Sequence, residues 1–293
     1  MSTASIVTCV RVRPFSQRTG ASLGVVLHEG AGDKKGNLLQ LVNEKLGGDH
    51  SFSCTHGWWS APDPAHFLEA AEDKRLVEEI PGGIVQQAGV YAAVGEQMRA
   101  DVLHGDPVVL FAYGLSGSGK TYTVFGPDDP RDRNAWYRFA EPHSQWGLFP
   151  RLAFELFAVA ADKEKQIQVS MQYFQNIDSS VRDLLSPVGE CNNYKKGMTP
   201  DKDGFMQVSW CTTKRLTDFD DLRATIARAS KSKEISPTQY NRSSTRGHCI
   251  LVLNVDMPHP ELADTRQRGR IYVCDLAGTE KATEVYVGEE QKG

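Results

Sequence analysis

Gly114, Gly119, Lys120 and Thr121 fall on the spacing G-x-x-x-x-G-K-S/T, within the run Val108-Val-Leu-Phe-Ala-Tyr-Gly-Leu-Ser-Gly-Ser-Gly-Lys-Thr121. Glycines at such places let backbone approach a phosphate closely. Consecutive N–H groups then converge on an anion at a helix start, where unpaired donors and the helix dipole both favour negative charge. Lys120 adds a point charge for the outer phosphates, and the Thr121 hydroxyl suits Mg²⁺. Ser116, Gly117 and Ser118 complete a loop that works through its main chain. Val108 to Ala112 suits a strand buried on both faces, and Thr121 to Phe125 is compatible with a helix, so the loop has the context this chemistry needs. A glycine-rich hairpin with a surface lysine is the competing reading, and it leaves that context unexplained.

Two later stretches can report on a third phosphate. In Asn241-Arg-Ser-Ser-Thr-Arg-Gly-His248 the hydroxyls of Ser244 and Thr245 suit Mg²⁺ and phosphate oxygens, while the guanidinium of Arg246 suits a carboxylate. The same residues also read as a polar turn before a strand. In Asp275-Leu-Ala-Gly-Thr-Glu280, a carboxylate at a strand's C-terminal end can hold Mg²⁺, and the Gly278 N–H can meet a γ-phosphate.

The elements that must position these groups follow from periodicity. Strands are expected over Ile6–Arg13, Gly24–Glu29, Asn37–Val42, Ile167–Phe174, Phe205–Thr212, His248–Met257 and Arg270–Leu276, and Val181–Leu185 is a short segment ahead of the stop at Ser186-Pro187. Phe52–Trp59 is aromatic without a clear period. Helices are expected over Asp63–Ile80, Ile84–Leu103 and Leu148–Ala161, and a capping box of Thr217 and Asp220 opens one over Asp218–Lys231. Gly126–Trp146 reads as a long polar loop hanging beside the nucleotide, and Asn192–Gly204 as another loop. Strands interleaved with helices around a phosphate loop predict a mainly parallel sheet covered on both faces.

The chain has 293 residues, 40% of them hydrophobic and 24% charged, which fits a globular protein of one large or two modest domains. A formal net charge of -4 argues against a surface built to bind a polyanion, so no nucleic-acid partner is expected, though it leaves room for a local basic face. No apolar run approaches the length of a membrane span, and Met-Ser-Thr-Ala-Ser lacks a secretory pattern, so the expectation is a cytosolic protein with no membrane partner. The six cysteines are scattered without a C-x-x-C pair; reduced thiols and no metal cluster are expected.

Taken in order, these motifs resemble the kinesin motor domain. The likeness runs from V-R-V-R-P-F at 10–15, through F-A-Y-G-x-x-G-S-G-K-T at 111–121 and Y-F-x-x-x-x-x-x-V-R-D-L-L at 173–185, to N-x-x-S-T-R-G-H and D-L-A-G-T-E. The resemblance implies an α/β P-loop NTPase fold of kinesin type: a central, mostly parallel β-sheet with helices on both faces. It implies an ATPase for microtubule-based movement in the cytoplasm and cytoskeleton, with ATP or ADP and Mg²⁺ as cofactors. Arg11, Arg13, Pro14 and Tyr122 would bracket adenine; Lys120 and the loop amides would hold the β and γ phosphates; Thr121, with Ser244 or Thr245, would surround Mg²⁺. Arg246 would pair with Glu280 to trap the attacking water, and Asp275 and Gly278 would sense the γ-phosphate.

The sequence departs from the family at several points. Leu115-Ser116 stands for the usual Gln-Thr, Gly247 removes one hydroxyl, and Gln175-Asn-Ile-Asp-Ser179 replaces E-I-Y-N-E. An extra segment of about 25 residues, near 60–83, has the composition of an exposed helix. The expected organisation is a single motor domain over 1–293 whose C-terminal core is missing, either as a fragment or as an abbreviated relative. The family's main microtubule contacts follow switch II, so the chain alone is expected to bind microtubules (tubulin) weakly or not at all. Lys195, Lys196 and Lys202 form either a contact loop or an ordinary solvated one. A non-motile, nucleotide-dependent binding module is the alternative function.

Overall fold

The computed structural model describes residues 6–12, 25–28, 37–41, 50–60, 85–115, 117–177, 180–186, 199–201, 204–234 and 247–278. The chain divides into two compact units, Met1–Val90 and Tyr91–Gly293. In the first, β1 (Cys9–Val12) pairs in parallel with β5 (His56–Trp59), while β2 (Val25–His28), β3 (Asn37–Leu41) and β4 (His50–Cys54) form an antiparallel meander. The aromatic stretch without a clear period is thus two strands broken at Thr55, whose amide is turned onto the Thr8 carbonyl at 2.8 Å. The helix expected over Asp63–Ile80 lies outside the described residues, as does all of the extra segment near 60–83 beyond Ser60.

Helix α1 (Gln87–His104) follows the expected Ile84–Leu103 closely. It stops where Gly105 enters the left-handed region at φ 98°. The Gly105 amide then reaches the Val102 carbonyl and the Asp106 amide the Asp101 carbonyl, at 3.1 and 2.9 Å, the paired closure that a C-terminal glycine permits.

The second unit continues with β6 (Pro107–Ala112), α2 (Lys120–Val124), α3 (Leu148–Ala160), β7 (Gln168–Ile177), β8 (Ser180–Asp183), β9 (Thr199–Pro200), β10 (Met206–Gln207), β11 (Lys214–Leu216), α4 (Phe219–Glu234), β12 (Gly247–Pro258) and β13 (Arg266–Asp275). Its central sheet has the order β11-β7-β12-β13-β6, with β8 beside β11 on the outer edge of β7. The sheet is mixed. β13 and β6 run parallel, whereas β12 is antiparallel to both β7 and β13. The last arrangement follows from chain length, because only residues 259–265 join β12 to β13, enough for a turn and too few for a crossover helix.

Alternation sorts the strand residues between two faces. Val169, Met171, Tyr173, Leu251, Leu253, Val255, Ile271 and Val273 join Leu152 and Leu156 of α3 and Leu222 and Ile226 of α4 in the main core. On the opposite face Phe174 and Val252 pack against Val208 and Cys211, so among the described residues this side is covered by the 204–213 segment and not by a helix.

Three sequence expectations are corrected. The strand expected over Phe205–Thr212 is only Met206–Gln207, paired with Thr199–Pro200. Buried Gln172 takes the Val208 and Cys211 carbonyls (3.1 and 3.2 Å), which bends the chain away from any ladder despite its strand-forming side chains. The capping residue of α4 is Asp218, one position later than expected: its carboxylate accepts the Asp221 amide at 2.8 Å. Finally, Gly126–Trp146 does not hang free. Trp136 and Trp146 are both 0% exposed; Trp136 packs with Phe125 and Phe149, Trp146 with Phe154 and Phe219, and the Trp146 indole donates to the Trp136 carbonyl at 3.1 Å. The polar residues between these aromatics masked a core segment.

Trp136→Ala should therefore lower stability by about 3–5 kcal/mol, as expected for emptying a large aromatic site. Urea unfolding followed by far-UV circular dichroism reads it; an unchanged midpoint would remove the segment from the core.

Candidate functional site

The parallel pairing of β6 with β13 sets Ala112 opposite Asp275, so both strands end at the same edge of the sheet. There the chain leaves β6 and turns through glycines with positive φ: 151° at Gly114, 75° at Gly117 and 98° at Gly119. A Cβ on Gly114 would lie 2.7 Å from the Ser118 hydroxyl oxygen. Gly119 is the N-cap of α2 and, having no side chain, makes no side-chain cap. The Lys120 ammonium folds back over the loop and donates to the Gly114 and Leu115 carbonyls, 2.9 Å each.

Thr121 Oγ1 donates to Asp275 Oδ2 at 2.7 Å. Asp275 Oδ1 is buried without a hydrogen-bond partner among the described residues. Burial pushes the Asp275 carboxyl above the usual carboxylate range; the Thr121 hydrogen bond and the positive charges of Lys233 and Lys120 pull it back. A hydroxyl and a carboxylate with a spare oxygen form a hard donor set, so the residues present fit Mg²⁺.

Three residues without a sequence-assigned role brace this corner. Lys233, on the last turn of α4, pairs with Asp128 at 3.4 Å and lies 5.0 Å from the Tyr173 ring centroid. Asp128 also accepts the Trp136 indole N–H at 3.1 Å. His248 Nδ1, at the start of β12, accepts the Ala277 amide at 3.1 Å and so ties that strand to the turn carrying Gly278. His248 lay inside a recognised motif; Lys233 and Asp128 had no local signal beyond a basic last turn and an acid after the glycine loop.

Among the other expected site residues, Tyr122 lies half-buried on α2. Arg11 belongs to the first unit, where its guanidinium donates to Gln87 Oε1 at 2.7 Å and Ser60 Oγ at 2.5 Å. Arg13, Pro14, Ser116, Ser244, Thr245, Arg246 and Glu280 lie outside the described residues. Cys9, Cys54, Cys211, Cys249 and Cys274 are free thiols. No helix among the described residues is long and apolar enough to cross a membrane.

The strand before the loop is not buried on both faces as the sequence suggested: β6 ends the sheet order, with Val109 and Phe111 exposed among the described residues. That strand, a glycine loop, a helix opened by Lys-Thr and a carboxylate on the adjacent strand together define a phosphate-binding P-loop protein. Residues 73–292 match the model of the kinesin motor domain, and the chain belongs to that family. It is 28% identical over 291 residues to the mouse kinesin-like protein KIF1B, covering 96% of this chain and 14% of the relative. For unc-104 of Caenorhabditis elegans the identity is 26%, covering 95% of this chain and 16% of that one. For human KIF13B it is 26%, covering 97% and 14%. The chain thus spans between 14% and 16% of the length of these curated relatives. Among solved structures, a fast kinesin superimposes with a TM-score of 0.69 at 19% identity, over 96% of this chain and 67% of that one. KIF14 with ADP in complex with a microtubule gives 0.69 at 23%, over 97% and 72%. These likenesses place the chain in the α/β P-loop fold of kinesin motors.

Because folding raises the Asp275 pKa, the folded chain holds that proton to higher pH than the unfolded one, and this group's contribution to stability falls as pH rises through the raised value. Asp275→Asn should remove that loss while keeping an acceptor for Thr121. The ligand-free variant is expected to melt a few degrees higher than the parent at pH 7 and to match it near pH 3; equal melting at both would mean the carboxylate carries no burial cost.

Proposed function

We propose that the chain is an ATP-hydrolysing motor domain of the kinesin type, working with Mg²⁺ and directed to microtubules in the cytoplasmic cytoskeleton. The observation that carries this reading is the Thr121–Asp275 hydrogen bond, with its spare buried carboxylate oxygen, at the end of a glycine loop over which Lys120 is held. Gly114, Ser116, Gly117, Ser118 and Gly119 supply main chain to the phosphates, and Lys120 exchanges its two loop carbonyls for β- and γ-phosphate oxygens. Thr121 and Asp275, with Ser244 or Thr245, hold the cation, which when bound neutralises charge on the phosphate oxygens. Tyr122, at the start of α2, packs on the adenine of ATP or ADP. Arg246 and Glu280 close the site around the attacking water, and the Gly278 N–H meets the γ-phosphate. The ADP and the microtubule named for KIF14 support the choice of nucleotide and partner.

Lys120→Ala should abolish binding of a fluorescent ADP analogue, while Glu280→Ala should bind nearly as the parent does and hydrolyse ATP about 10²-fold more slowly or worse. Parental turnover by Glu280→Ala would remove the Arg246–Glu280 gate from the mechanism. Tight nucleotide binding with no turnover by the parent chain, with or without microtubules, would favour the non-motile binding module.

Tubulin presents an acidic surface, and this chain carries a formal net charge of -4. Co-sedimentation with microtubules should accordingly be weak and fall further as salt is raised. Tight pelleting that persists at moderate salt would show that a strongly complementary face exists after all.

A further inference from the structure

The sheet face opposite the helices carries a polar pocket of about 230 Å³, lined by Ser170, Gln172, Thr213, Asn254, Arg268 and Arg270 among others. This is several times the roughly 30 Å³ that one water occupies in the liquid. Arg270 is 1% exposed and Asn254 8% exposed, and each aligns with the pocket from neighbouring strands, in register with one another on β13 and β12. Arg270 Nε and Asn254 Oδ1 are buried without a hydrogen-bond partner among the described residues. A buried polar atom left unpaired costs about 1–3 kcal/mol, so a donor and an acceptor left open on one pocket call for an occupant.

The guanidinium of Arg270 is fixed before anything binds. Its Nη2 donates to Asp201 at 2.6 Å, its Nη1 donates to the Tyr272 hydroxyl at 3.1 Å, and its carbon lies 4.7 Å from the Phe205 ring centroid. Arg268 is held by Asp256 at 2.7 Å and Asp201 at 3.4 Å, so two cations share two carboxylates. The hydroxyls point the same way chemically. Ser170 Oγ accepts from Asn254 Nδ2 at 3.4 Å, and Thr213 Oγ1 lies 3.1 Å from Gln172 Nε2, whose two hydrogens it shares with the Val208 and Cys211 carbonyls. Each hydroxyl that accepts an amide hydrogen keeps its own proton to donate.

We propose that this pocket binds a small oxyanion that carries a proton, of the hydrogen phosphate class. Arg270 Nε, Thr213 and Ser170 donate to its oxygens, and its single P–OH donates to Asn254 Oδ1. Sulfate has the same size and shape and no proton at neutral pH, so it would leave Asn254 Oδ1 unpaired. The site is separate from the glycine loop and does not depend on the motor reading.

Calorimetric titration of the chain with inorganic phosphate and, in parallel, with sodium sulfate tests the proposal. Phosphate should bind about tenfold more tightly than sulfate, and this binding should persist in Lys120→Ala, which removes the lysine of the glycine loop. It should weaken about tenfold in Thr213→Val, an exposed near-isosteric change, and likewise in Ser170→Ala, with melting temperatures of both variants close to the parent's. The proposal is overturned if no phosphate binds, if binding disappears in Lys120→Ala, if sulfate binds equally well, or if neither hydroxyl variant weakens it.

Discussion

The parallel register between β6 and β13 is the constraint on which the site depends. Parallel strands end on the same side of a sheet, so the glycine loop leaving β6 and the carboxylate closing β13 meet at one edge, Ala112 beside Asp275. An antiparallel pairing would send them to opposite ends. The pairing also sets the burial that leaves one Asp275 oxygen without a partner among the described residues, while Thr121 reaches the other at 2.7 Å. The site therefore stores an unfavourable arrangement in its ligand-free state. A bound cation would relieve it, which links the packing of two strands directly to affinity for Mg²⁺.

The aromatic segment after α2 holds this edge in place from behind. Gly126, at φ 93°, lets the chain pass so close to Gln145 that a Cβ would come within 2.4 Å of its carbonyl oxygen, and the Gly147 amide closes the loop onto the Phe125 carbonyl at 3.0 Å. Trp136 then fixes Asp128, and Asp128 fixes Lys233 at the end of α4. A single chain of contacts thus runs from the helix that follows the phosphate loop to the helix that leads toward Asn241–His248. Truncating a side chain in it would disturb both elements, although none of these residues touches a phosphate.

Local chemistry was legible in the sequence, and long-range partnership was not. The strand, glycine loop and helix around Gly114–Thr121 could be placed because each depends on residues within a few positions, and α1 could be placed because its apolar period and the glycine after it are likewise local. Asp275 could be proposed as a metal-side residue, but its hydrogen bond to Thr121 joins positions 154 residues apart. The same limit explains the misplaced features. The strand-forming side chains of Phe205–Thr212 gave no sign that Gln172, far upstream, would take two of that segment's carbonyls. Gly126–Trp146 looked like a loop because its polar residues outnumber the few aromatics that bury it. The Thr217–Asp220 box missed by one position, since Thr and Asp at adjacent sites compete for the same capping role and only backbone geometry decides between them.

Strand alternation finally accounts for why one sheet can present two such different faces. On β13, Ile271 and Val273 enter the helix-covered core, while Arg270 and Tyr272, one residue out of phase, emerge on the other side. β12 repeats the pattern with Leu253 inward and Asn254 outward. A buried arginine is tolerable there because Asp201, Tyr272 and Phe205 surround its guanidinium, Tyr272 from β13 itself and the other two from the mostly irregular stretch around the short β9–β10 pairing. Polar residues on this face thus take over the work that apolar helix contacts do on the other. They pin an irregular segment to the sheet, and they leave at its centre a pocket whose hydrogen-bonding capacity the fold does not exhaust.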